Sequence, residues 1–198
     1  MIPSLRPGKE NDGKTQRGFT AKGGTDLSEL DEDWTRALAE AERRAREAGR
    51  GDVLDYLALK ASNDLARKTA VNWLFEEFTA KIADLNRRGS SIQITRADNH
   101  NFRTGVNTMV GTLLTFKSGV RSLMVEAGWP RTPRDGIVKG GGLAQGQIRH
   151  FGRKALDHEL LLLRSRSGAP EWVVINREGE RLALVEAVVE RHVTVFAA

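Results

Sequence analysis

The chain has 198 residues, carries 31 Lys and Arg against 26 Asp and Glu, and contains no cysteine. That length suits one substantial hydrophobic core with a helical appendage rather than two large domains. Disulfides, thiolate catalysis and Cys-ligated metals are excluded, and apolar runs such as Leu160 to Leu163 are far below a membrane span.

Residues 1–25, rich in Gly, Lys, Arg, Thr and Gln with scattered apolar positions, read as a disordered basic leader. The charges near Met1 have no apolar stretch behind them, so no secretory signal is expected and the cytoplasm is the expected compartment. Residues 26–198 read as a single α+β domain.

Its helical part is expected over 28–88. Ser28 and Asp31 form a capping-box pattern, followed by Leu30, Trp34, Ala37, Leu38, Ala41 and Ala45 at helical spacing, with Gly49 as the stop. After Gly51-Asp52, one stripe runs through Leu54, Leu57, Ala61 and Leu65 and another through Val71, Leu74, Phe78, Ile82 and Leu85. The register shift between them, near Ala66 to Ala70, predicts either two helices or one bent helix. Trp73, Leu74, Phe75 and Phe78 are assigned to core packing.

From Gly89 the period becomes alternating, which predicts a β-rich part over 89–180. Strands are expected at Ile92 and Ile94, Met109 to Phe116, Val120 to Val125, Leu143 to Phe151, Glu159 to Leu163 and Trp172 to Ile175, mainly antiparallel. Arg177-Glu178-Gly179-Glu180 reads as a turn. Leu182, Val185, Val188, Val189, His192 and Phe196 fit a short C-terminal helix over 181–197. Helices first and a strand meander afterwards predict an α+β fold with N-terminal helices packed on one face of the sheet.

The positive charge sits in this β-rich part. Residues 89–165 hold eleven Lys and Arg against five Asp and Glu, a net of +6, while the remainder is nearly neutral. A local cation excess on a pleated scaffold is the footprint of an anionic partner. Within it, Trp129-Pro130-Arg131-Thr132-Pro133-Arg134-Asp135-Gly136 reads as a stiffened loop, because two prolines fix φ and Asp-Gly closes a turn. The expected phosphate contacts are Arg103, Arg131, Arg134, Lys139 and Arg149, with Trp129 placed to stack on a base.

The function expected from these residues is non-enzymatic binding of an anionic polymer, DNA or RNA, through its phosphates. Two rivals come from other classes. One is an interaction subunit, homo-oligomeric or docked on a protein partner through the acidic start of the first helix or an exposed strand edge. The other is a small enzyme using Asp98 and His100, with Glu126 or His150, for proton transfer; Asp98 and His100 are two apart and so share a face of an unbroken strand. The Arg96 to Arg103 cluster that contains them otherwise reads as a turn. Lys139-Gly140-Gly141-Gly142 lacks the pattern of a nucleotide-binding loop, and the four histidines show no metal-ligand spacing. No cofactor, metal or membrane partner is expected.

Overall fold

A computed structural model describes residues 27–176 and 179–198, with side chains from Arg36 onward except Pro133. The expected leader and the Arg177-Glu178 portion of the expected turn lie outside the described residues. The chain divides into two compact units, Met1–Leu54 and Asp55–Ala198. In the first, helix α1 (Leu27–Glu47) ends at Gly49, whose φ of 65° is a left-handed cap conformation, and Arg50 N–H returns to the Ala45 carbonyl at 2.9 Å.

The second unit contains helix α2 from Asp55, the helix as a whole spanning Gly51–Arg87, and seven strands. These are β1 (Gln93–Thr104), β2 (Asn107–Ser118), β3 (Arg121–Trp129), β4 (Ala144–His150), β5 (His158–Arg164), β6 (Pro170–Ile175) and β7 (Arg181–Ala183), followed by helix α3 (Glu186–Ala197). They pair as an antiparallel meander in sequence order. Two-residue turns, Gly105-Val106 and Gly119-Val120, join the first three strands, and each begins with a glycine at positive φ, 61° and 56°.

The α+β expectation is the observed fold. The register shift expected near Ala66 is a change in what α2 faces: from Ala66, Ala70 and Val71 onward through Leu74, Phe75, Phe78 and Ile82, one stripe of an uninterrupted helix is buried. This stripe packs with Leu114, Phe116, Leu123, Val125, Ile148, Leu160, Leu162, Trp172 and Val174 of the sheet and with Val189, Val193 and Phe196 of α3. Trp172 Nε1 donates to the Ala70 carbonyl at 2.9 Å, fixing helix to sheet inside the core. Trp73, expected in the core, remains 36% exposed.

Two expectations are corrected. The segment Arg96 to Arg103 is strand, and the C-terminal helix begins only at Glu186, because Arg181–Ala183 pairs with β6. The other side of the sheet is crossed by the β3–β4 connection: a Cβ on Gly142 would strike the Leu161 side chain, and one on Gly136 would strike Asn107. The two sides are called the helix face and the loop face below.

Candidate functional site

The feature of β1 that decides the site is Asn99. It is the one non-glycine residue at positive φ among the described residues, 55°, a conformation that Asn tolerates better than most side chains, and it forms a bulge in the ladder. Asp98 pairs with Thr112 and His100 with Gly111, neighbours on β2 that face opposite sides. The expectation that Asp98 and His100 share a face is therefore overturned. Asp98 lies on the helix face, accepting from Thr112 Oγ1 at 2.9 Å and from Arg96 Nε at 3.0 Å.

His100 lies on the loop face, where it meets Glu126 instead. Its partner across the ladder is Gly111, which offers no side chain, so the imidazole passes over β2 to reach β3. The sheet is tightly folded here: a Cβ on Gly111 would run into the Ala127 carbonyl oxygen, and one on Gly128 would sit 2.7 Å from the Val110 carbonyl. His100 Nε2 contacts Glu126 Oε2 at 2.9 Å, and Arg149 Nη2 donates to Oε1 at 2.9 Å. Glu126 is 1% exposed and both its oxygens are occupied, so this buried carboxylate is matched by two partners. His100 also lies nearly parallel to Phe102, with ring centroids 6.1 Å apart.

Strand β4 supplies a polar column to the same face, Gln145, Gln147 and Arg149 at every second residue. The Gln147 amide donates to the Arg103 carbonyl at 3.4 Å. Gln145 Oε1, Arg149 Nε and Thr104 Oγ1 are buried without a hydrogen-bond partner. Beside the column a cleft of about 420 Å³ opens, lined by Gln147, Arg149, Asp157, His158, Glu159 and Ile175 among others.

The basic loop folds on itself. Asp135 Oδ2 accepts from Thr132 N–H at 2.8 Å, Thr132 Oγ1 at 2.9 Å and Arg131 N–H at 3.2 Å. Those bonds hold the Asp135 carboxyl below its usual range, the backbone bond from Thr132 first. The Arg131 guanidinium lies 4.1 Å from the centre of the Trp129 ring and that of Arg67 lies 5.6 Å from it, so the ring expected to stack on a base already carries two cations. Arg134 and Lys139 are exposed. A Cβ on Gly105 would sit 3.5 Å from Lys139 Nζ, which places the β1–β2 turn beside the loop. Gly140 lies against the Arg181 guanidinium. Lys139 thus lies near Arg181, a residue outside the 89–165 stretch, and Arg131 and Arg134 belong to the same loop, whereas Arg103, opposite Thr108, stands on the helix face.

Other cations of the window serve the fold. Arg149 holds Glu126; Arg121 and Arg153 donate to the Ala197 and Val195 carbonyls at 3.3 and 3.4 Å, where they complement the C-terminal end of α3. Arg164 bonds Ser62, Asn63 and the Gly168 carbonyl.

His150, the remaining candidate for proton transfer, belongs to a different cluster on the helix face. His150 Nε2 meets His192 Nδ1, and His192 Nε2 meets His158 Nδ1, each at 2.9 Å. Burial pushes His192 down to about 3, with His158, His150 and Arg191 adding to the effect. Burial also lowers His150, where Asp157 opposes it and Arg153 and His158 reinforce it, and lowers His158, between Arg191 and Asp157. Sequence spacing gave no sign of His192, which is 34 residues from His158 and approaches from α3. Among the described residues no group of three or more His, Asp or Glu is arranged to hold a metal ion, and no helix is long and apolar enough to cross a membrane. Comparison with protein-family models, with curated proteins and with solved structures finds no match.

Proposed function

We propose that the chain binds the phosphate backbone of DNA or RNA through the β3–β4 loop and the β1–β2 turn beside it. The observation that carries this reading is the approach of Lys139 and Arg181 at a loop that also carries exposed Arg134 and whose single carboxylate, Asp135, is spent on its own turn. A loop already fixed by that turn and by the Arg131–Trp129 stack loses less freedom when it binds. Phosphate contacts of this kind give affinity without reading sequence. Trp129 serves the loop by holding Arg131 rather than by stacking on a base.

The test is binding of labelled single- and double-stranded oligonucleotides over a range of salt. Wild type is expected to lose affinity steeply with salt, and an Arg134→Ala/Lys139→Ala variant is expected to show a log–log slope shallower by about 1.4 to 1.8, the loss of two phosphate contacts. Absence of binding at low salt, or an unchanged slope in the variant, overturns the reading.

A further inference from the structure

Gln145, Gln147 and Arg149 stand in one column on a central strand, with Glu126 on one side and Glu159 on the other. A polar column of this kind on an antiparallel sheet is ordinarily solvated. Here Glu126 and Gln145 are buried, at 1% and 6% exposure. Arg149 is held by Glu126 through Nη2 while its Nε is buried and unpartnered, and Gln145 Oε1 is likewise unpartnered. Buried polar atoms without partners are few in native folds and each calls for a reason. The cleft of about 420 Å³ that Gln147 and Arg149 line, and Gln145 does not, falls within the roughly 300–1,000 Å³ range of small-ligand sites.

The cleft also adjoins the basic region. Ile175, which lines it, pairs across the sheet with Arg181, and the Arg181 guanidinium lies against Gly140 of the loop. A strand whose phosphates met Arg181 would therefore pass beside the cleft.

We propose that this cleft takes an unstacked guanine base from a single-stranded nucleic acid, an inference that rests on the phosphate-binding reading above. The choice of base follows from the lining. Glu159 is exposed at the cleft and, with Asp157, presents acceptors, while Arg149 presents donors from the neighbouring strand. Guanine alone among the common bases carries two adjacent donors, N1–H and N2–H, on one edge, which a carboxylate accepts as a pair. Its O6 and N7 on the next edge take a guanidinium. Uracil, thymine, cytosine and adenine carry neither that adjacent donor pair nor the O6 and N7 acceptor pair. In a duplex the donor edge is already paired, so the ligand is single-stranded. Ile175 supplies an apolar wall against which the ring can lie.

The experiment compares a labelled oligothymidine with the same oligomer carrying one central guanine, against wild type and Glu159→Gln, whose exposed position leaves the fold intact. Wild type is expected to bind the guanine-bearing oligomer about tenfold more tightly, a difference of about 1.4 kcal/mol. Glu159→Gln is expected to erase that preference while keeping the affinity and salt dependence of the plain oligothymidine. Equal wild-type affinity for the two oligomers, or a variant that weakens both alike, overturns the guanine site and leaves phosphate binding standing. Failure of wild type to bind either one overturns the phosphate-binding reading itself.

Discussion

On the helix face of the sheet, Leu114, Phe116, Leu123, Val125 and Ile148 meet Leu74, Phe75, Phe78 and Ile82 of α2 in a continuous apolar layer. On the loop face, the same strands present Glu126, Gln145, Gln147 and Arg149, held by ion pairs and hydrogen bonds or left without partners. One set of strands thus carries two kinds of interior. The helix face gains its stability from area removed from water, which is insensitive to direction. The loop face depends on matched partners, so removing one partner costs more there than removing both.

The largest expected effect that separates the two faces is truncation of the helix-face core. Phe78 is fully buried, with its ring 6.3 Å from that of Phe116, and Phe78→Ala is expected to cost about 3–5 kcal/mol in urea unfolding at neutral pH. A loss under about 1 kcal/mol would mean that the apolar layer is not what holds that face.

The second expected effect comes from a polar cluster on the helix face, the three histidines. Their folded-state values lie below the ordinary one, so below about pH 6.5 the unfolded chain binds protons that the native chain refuses. Stability is therefore full above that pH and falls as pH drops toward about 3, where His192 takes its proton. The loss is expected to reach a few kcal/mol, on the scale of about 1.4 kcal/mol per unit of displacement. Urea midpoints measured from pH 8 to pH 4 should show this decline, and His192→Gln, which keeps an amide in place of the imidazole, should flatten it. A decline identical in the variant would assign it to other groups.

The smallest of the three sharpens the account of the loop face. Arg149→Met leaves the Glu126 carboxylate buried beside His100 alone and is expected to cost about 1–3 kcal/mol. The double variant Glu126→Leu/Arg149→Met is expected to recover most of that loss, since an apolar pair of similar size escapes the desolvation cost. If the double variant is as unstable as the two single losses added together, the ion pair is not the unit that the geometry describes.

Much of the fold was legible from the residues. Periodicity switches at Gly89 from helical to alternating because α2 presents one stripe to the sheet while each strand presents alternate residues, and the antiparallel meander follows from short glycine turns. What spacing could not reveal was contact across long separations. His192 meets His150 and His158 only because α3 returns onto the helix face, and Arg181 meets the basic loop only because that loop crosses the sheet. Asp98 and His100 were paired by counting in twos, a count that Asn99 interrupts. Glu126 and His100 are 26 residues apart, and their meeting depends on a glycine between them on β2. Composition placed the cations in the β-rich stretch but could not separate those that bind helix carbonyls or Glu126 from those at the loop.

The bulge at Asn99 has a further consequence for how the molecule lives among copies of itself. Strand β1 is the long outer edge of the sheet, twelve residues, against three for β7 at the opposite edge. An unbroken edge of that length is a template on which another chain can extend the ladder. The bulge interrupts the row of donors and acceptors in mid-strand, and Arg96 and Asp98 place charge just before the break. Among the described residues, the one that divides β1 between two faces also breaks the continuous row of backbone groups that edge-to-edge pairing requires.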